Sequence, residues 1–212
     1  DVHFHGPTID EALIAAGEFS QSTGAIFIHP FDHEHIVAGQ GTMGLEILEQ
    51  NPDVRTVVVC TGGGGLLAGA AMAIKTLRPE VRVIGVQAKE AAAYPLSLNA
   101  GSPVKLDRMT TMADGIAVGR PGDVPFALVQ QYVDEIITVS EDSLARTLLL
   151  TMERSKLLAA LPNDFEARVK LAQARDLEAQ ILETEGRFND ASAILGESAT
   201  LYRQAILERP NH

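Results

Sequence analysis

The sequence predicts an α/β protein: an open, mostly parallel sheet over residues 1–158, followed by an all-α helical-hairpin tail over residues 159–212. Three observations carry this. Short β-branched runs alternate with amphipathic segments through the first two-thirds of the chain, the rhythm of right-handed crossovers between parallel strands. One run, Arg55–Cys60, is almost continuously apolar, as expected of a strand buried on both faces. Beyond Leu158 the strand-like text stops and only helical periodicity continues.

Taken in order, Val2–His5 reads as a short strand, and Thr8 can cap a helix with Asp10 and Glu11 in its first turn, ending near Gly24. Ala25–Ile28 is the next predicted strand, stopped by Pro30. Ile36–Gln50 is helical despite the permissive Ala38-Gly39-Gln40-Gly41-Thr42. Arg55–Cys60 is a strand, Leu66–Leu77 an Ala-rich helix and Val81–Val86 a second buried strand. Phe126–Tyr132 is helical, Glu135–Val139 is a strand, and Glu141–Leu158 is a long helix opened by Ser140. Pro162-Asn163-Asp164 is a stop-and-restart signal, and Phe188, Ile194, Leu195, Leu201 and Ile206 form core stripes of the tail.

Composition sets the broad class. At 212 residues with 46% hydrophobic and 21% charged residues, the chain can bury a core without disulfides. Its formal net charge is −11 and no two Lys/Arg residues are adjacent, which argues against nucleic acid or an anionic membrane as partner. Cys60 is the sole cysteine, consistent with a reducing compartment. No run of ~18 apolar residues and no signal-peptide form is present, so a cytoplasmic location is expected.

The chemistry concentrates in Gly62-Gly63-Gly64-Gly65, between a predicted strand and a helix. Glycine is the costliest residue to order. Four in a row at the carboxyl end of a parallel strand suggest bare backbone N–H groups closing on a phosphate or carboxylate at a helix N-terminus. A tight turn with close helix–strand packing would account for one or two of them. No Lys-Ser/Thr pair follows, so the run is not a P-loop. Gly63-x-Gly65-x-x-Ala68 matches the loose dinucleotide fingerprint, but the next strand ends in Gln87 where that reading needs an acid. His29, Asp32, His33 and His35 could suggest a metal, without a closed zinc spacing and without cysteine; the plainer reading is solvated loop. Cys60 reads as a small buried residue ending its strand, and Asp114-Gly115 as a turn.

Five segments occur in an order that resembles a known family: His29-Pro30-Phe31-Asp32, Ala38-Gly39-Gln40-Gly41-Thr42, Gly62–Leu67, Ile84-Gly85-Val86-Gln87 and Met112-Ala113-Asp114-Gly115-Ile116-Ala117-Val118, with Met152-Glu153-Arg154-Ser155-Lys156 in the same register. Residues 1–158 resemble the pyridoxal phosphate-dependent threonine dehydratases (threonine ammonia-lyases) and their serine-racemizing relatives. The resemblance implies the large-domain part of the fold type II architecture, and cofactor phosphate held by the amides of Gly62, Gly63, Gly64 and Gly65, with Leu66 opening the helix. It also implies an amino-acid substrate, β-elimination of L-threonine to 2-oxobutanoate and ammonia, and a place in isoleucine biosynthesis.

The departures are equally definite. The family's chemistry needs a lysine joined to the cofactor. None of Lys75, Lys89, Lys105, Lys156 and Lys170 stands in that context, and the chain reads as beginning after it. Lys75 reads as a solvated helix end. After Lys156 the family pattern Val-Val-Glu-Pro is replaced by Leu157-Leu158-Ala159-Ala160, and Gln87 and Ala93 stand where some relatives place cation-binding carboxylates. No catalytic residue is assigned. The expectation is a catalytically incompetent module that binds the cofactor phosphate and works as a homo-oligomer or with a partner supplying the missing domain. The tail resembles a tetratricopeptide repeat: Gly186-Arg187-Phe188-Asn189-Asp190-Ala191 looks like its inter-helix turn, with Ala179 at the small position and Tyr202, Ala205 and Pro210 near its end. The meeting of two unrelated texts near Leu158–Pro162 raises the alternative of a recombined or engineered chimera, in which the sheet is a scaffold and the tail mediates packing or self-association.

Overall fold

The computed structural model describes residues 3, 5, 6, 9–155, 175, 176, 179 and 188–207. The chain divides into two compact units, Asp1–Thr138 and Val139–His212. The family-like text runs past that division to Leu158.

In the first unit, helix α1 (Ile9–Thr23) and helix α2 (Glu34–Gln50) precede strand β1 (Thr56–Cys60), helix α3 (Gly65–Leu77) and strand β2 (Arg82–Ala88). A short 3-10 turn (Lys89–Ala91) leads to helix α4 (Ala93–Ala100); after a second such turn (Asp114–Ile116) come helix α5 (Asp123–Tyr132) and strand β3 (Glu135–Val139). The sheet order is β1-β2-β3, with β1 and β2 parallel in the register Val57↔Val83 and Val59↔Gly85. This is the open, helix-covered α/β sheet expected from the alternation of elements.

Packing explains the glycines where α2 meets α3. A Cβ on Gly44 would lie 2.7 Å from the Ala70 carbonyl oxygen, and Gly41 lies against the Gly69 carbonyl, so α2 and α3 meet backbone to backbone. Leu67, Ala68, Ala71 and Ile74 of α3 are fully buried and share a core with Val57, Val59, Val83, Tyr94, Phe126 and Val129. At the other end of α3, Lys75 Nζ binds the Asp134 carboxylate at 2.7 Å, and Asp134 also accepts the Val83 amide. Lys75 is therefore not the solvated helix end expected of it; it ties α3 to the edge of β2.

Two predicted strands differ. Arg55–Cys60 was expected to be buried on both faces, but Val57 and Val59 point inward while Val58 is 60% exposed and Cys60 is exposed. Period-2 alternation is the signature of a sheet covered on one side, and it overturns the buried reading of Cys60. Ala25–Ile28 forms no strand. No described residue offers it a ladder; the Ala25 carbonyl accepts the Ser20 hydroxyl instead, and Ile26 and Ile28 face outward. Of the predicted first strand, His3 and His5 are irregular, while Val2, Phe4 and the predicted cap Thr8 lie outside the described residues.

In the second unit, helix α6 (Glu141–Ser155) opens as predicted, with the Ser140 hydroxyl accepting the Ser143 amide. Helix α7 (Phe188–Leu207) buries Ala191 together with Ala179 and half-buried Ile194, while the predicted stripe residue Leu195 is exposed. Arg175 pairs with Glu197 at 3.4 Å, and the Ser198 hydroxyl donates to Asp176. Pro162–Asp164, Gly186-Arg187 and Lys156 lie outside the described residues.

Candidate functional site

The corner between β1 and α3 is built from both sides. Thr61 continues the pairing of β1, its amide donating to the Val86 carbonyl, and its hydroxyl turns back to the Val59 carbonyl. The Gly63 carbonyl accepts two donors, the Gly122 amide at 3.0 Å and the buried Tyr94 hydroxyl at 3.3 Å. The Gly64 carbonyl accepts the Ala68 amide and starts α3. The amides behave differently. None of the N–H groups of Gly62, Gly63, Gly64, Gly65 and Leu66 donates to a described residue. At the first turn of a helix, five such amides and the positive end of the dipole form an anion-seeking surface.

Packing bears on all four glycines and is decisive at two. A Cβ on Gly62 would meet Val118 and Ile116 at 3.1–3.2 Å. One on Gly63 would enter the Phe31 ring, and one on Gly65 would lie 3.0 Å from the Phe31 carbonyl. Gly64, with φ 98°, takes a left-handed conformation that L-residues rarely adopt, and a Cβ there would fall on the Tyr94 hydroxyl. Close packing was expected to explain one or two of the four; it excludes a Cβ outright at Gly63 and Gly64 and leaves Gly62 and Gly65 in tight contact, as Phe31, Tyr94, Ile116 and Val118 converge on the corner from separate segments. The support for an anion is thus the state of the amides and not the number of glycines.

Other expected positions take structural parts. His29 Nδ1 accepts the amides of Asp32 (2.8 Å) and Phe31 (3.3 Å), and burial pushes its pKa below the ordinary value against the opposing charge of Asp32. Asp32 Oδ1 accepts the Val124 amide in the first turn of α5. His33 caps α2 by accepting the His35 amide. Among the described residues no three His, Cys, Asp or Glu side chains gather as metal ligands. Gln87 is fully buried, accepting the Tyr94 amide and donating to the Thr61 carbonyl. Burial, assisted by the Asp32 charge, pushes the Tyr94 phenol far above its ordinary pKa, so it stays protonated and donates. Lys89 stands exposed on the turn after β2, and Lys105 lines a small cavity with Asp10 and Arg120. Tyr94 is the part of the corner that sequence reasoning missed. It sits in Ala-Ala-Ala-Tyr with no local signal, and its partner lies 31 positions away.

The corner's amides fit the phosphate end of a pyridoxal phosphate molecule, which asks for several N–H donors and no side chain. Residues 1–162 match the family described as pyridoxal-phosphate dependent enzymes. The chain is 48% identical over 158 residues to the L-threonine ammonia-lyase of Thermotoga maritima, covering 74% of this chain and 39% of that one. It is 45% identical over 148 residues to the biosynthetic L-threonine dehydratase IlvA of Escherichia coli K12, covering 70% and 29%. Among solved structures, threonine deaminase isoform 2 from Solanum lycopersicum aligns with TM-score 0.68 and 39% identity over 72% of this chain and 45% of that one. Maize serine racemase aligns with TM-score 0.67 and 31% identity, over 72% and 46%. The chain spans less than half the length of each of these proteins. The match over residues 1–162, with the fold these relatives share, shows that the chain belongs to the pyridoxal-phosphate dependent enzyme family.

Proposed function

We propose that this chain is part of a pyridoxal phosphate-dependent threonine dehydratase, with the amides of Gly62, Gly63, Gly64, Gly65 and Leu66 holding the cofactor phosphate. The observation that carries the reading is the contrast within the corner: the Gly63 and Gly64 carbonyls accept bonds while five successive amides donate to no described residue. Charge-assisted bonds from such amides are worth roughly 1.5–3 kcal/mol each. Bound there, the cofactor would supply the electron sink for cleavage at the α-carbon of an amino acid, which in the relatives' reaction converts L-threonine to 2-oxobutanoate and ammonia. The chain's own contribution is to bind and orient, and Lys75, the best-held described lysine, is committed to Asp134. In this reading the chain alone is a binding module without dehydratase activity, because none of its lysines stands in the family's Schiff-base context, and a homo-oligomer or a partner chain would complete it. A cytoplasmic location and a role in isoleucine biosynthesis go with this reading; among the described residues no helix is long and apolar enough to cross a membrane.

Substituting a glycine is a poor test, because a new side chain also crowds the packing of the corner. The test leaves the backbone intact: amide spectra of the 15N-labelled chain are followed during titration with pyridoxal phosphate, inorganic phosphate or pyridoxal. The Gly62–Leu66 signals should move with the first two and stay still with pyridoxal. Unmoved corner signals would overturn the phosphate assignment, and 2-oxobutanoate formed from threonine by this chain with the cofactor would overturn the inactivity.

A second reading applies to residues 159–212: a tetratricopeptide-like hairpin, joined in a chimera, that mediates self-association. It draws support from the small-residue contact of Ala179 with Ala191. Sedimentation of the whole chain as one monomeric species across a wide concentration range would end it.

A further inference from the structure

We propose that His29 is a positioning residue for the glycine corner, its Nδ1 gathering the Phe31 and Asp32 amides into the turn that braces Gly63 by two routes. This rests on the anion-site reading above and deepens it. The first route is direct. The turn carries Phe31, whose ring fills the space a Cβ on Gly63 would need and whose backbone lies against Gly65. The second runs through Asp32, whose carboxylate accepts the Val124 amide at 2.9 Å and packs against Gly122. The Gly122 amide in turn donates to the Gly63 carbonyl at 3.0 Å. Both routes begin at one imidazole nitrogen.

That nitrogen can accept only while it carries no proton, so the neutral ring must hold its hydrogen on Nε2. The ring is further fixed by edge contacts with Phe31 (centroids 4.6 Å apart) and Phe27 (5.8 Å). Protonation would set an N–H against two N–H donors and release the turn. The ionisable groups around it are Asp32 and His33 on its own loop, with Asp10 of α1, Lys105 and Arg120 lining the same cavity; Arg120 is itself paired with Asp123. Burial is the largest influence and keeps the ring neutral, aided by His33 and opposed by Asp32. Because the folded value is lowered, the contribution to stability is complete above the ordinary value of 6.5 and is lost as pH falls from there through the folded pKa.

Spectra of the 15N-labelled chain test this from pH 8 to 5, with sulfate as the probe because its charge is constant over that range. Imidazole signals should report Nδ1 as unprotonated at pH 8. The Gly63 and Gly65 amide signals should move with the His29 midpoint, below pH 6.5, and sulfate affinity should fall about tenfold across it, the worth of one net hydrogen bond. His29→Asn, which keeps an acceptor near Nδ1 and cannot titrate, should hold the affinity level with pH; His29→Leu should bind weakly at every pH. A proton on Nδ1 at pH 8, or glycine signals indifferent to the His29 midpoint, would overturn the proposal, and both readings use the unsubstituted chain even if a variant fails to fold. Glycine signals that follow His29 while sulfate binds nowhere would uphold the positioning role and overturn the anion site beneath it.

Discussion

Two stretches of short apolar backbone lie in the same compact unit and meet opposite fates. In β1, Val57 and Val59 are buried and the strand is bonded along its length to β2. In Ala25–Ile28, Ile26 is 91% and Ile28 71% exposed, with no ladder partner among the described residues. Their compositions are similar, so composition is not what separates them. A strand is a property of a pair: backbone N–H and C=O groups need a neighbouring strand, and the side chains need a covered face. β1 has both, β2 for the first and α3 for the second. The comparison also ranks where the molecule should be fragile.

The largest loss is expected where the paired region turns into α3. Gly64→Ala places a Cβ on the Tyr94 hydroxyl in a backbone with φ 98°. Left-handed strain adds to overpacking there, and together they should cost at least about 3 kcal/mol in urea unfolding. A variant as stable as the parent would show that Tyr94 and the corner give way freely, and would remove the case for a rigid site. Next comes Val83→Ala in the middle of β2, where the side chain is fully buried. Two lost methyl equivalents and a residual cavity should cost about 2 kcal/mol.

Elements with a strong period were legible in the sequence: Ile36–Gln50, Leu66–Leu77 and Glu135–Val139 all appear where patterning puts them, within a residue or two at their ends. The location of the corner was legible as well, since four glycines stand between a strand and a helix. What supports the corner was not. Asp32 reaches Val124 across 92 positions and Tyr94 reaches Gly63 across 31, and no local pattern encodes such contacts. The failure of Ala25–Ile28 has the same origin, because local propensity says which residues suit a strand and nothing about whether a neighbour is there.

A smaller effect is expected at the edge of the paired region. Asp134 accepts both Lys75 Nζ and the Val83 amide. Burial pushes its carboxyl upward, but Lys75, the Val83 amide and the Arg82 charge together hold the pKa below the usual carboxylate range. The carboxylate is 37% exposed, so solvent screening limits the worth of the tie. Asp134→Asn should cost about 1 kcal/mol. The sign follows from the lowered pKa: the contribution is full above the unfolded value of 3.8 and disappears as pH falls through the folded one, so the parent and variant unfolding curves should converge in acid. Curves that stay separated at pH 2 would mean that the amide loses something other than charge.

The smallest effect belongs to the unpaired stretch, and it makes the comparison sharpest. Ile26→Thr changes a side chain that is 91% exposed and touches little, so unfolding should shift by no more than about 0.5 kcal/mol, against about 2 for Val83→Ala. Solubility should respond where stability does not. An exposed apolar segment outside any ladder, as Ile26–Ile28 is among the described residues, is a template for pairing with another chain, and a polar side chain at Ile26 weakens that template. Light scattering of the concentrated chain should therefore fall with Ile26→Thr while the urea midpoint holds. A loss of 2 kcal/mol or more at Ile26 would mean that the segment is paired in solution, and the contrast with β1 would collapse.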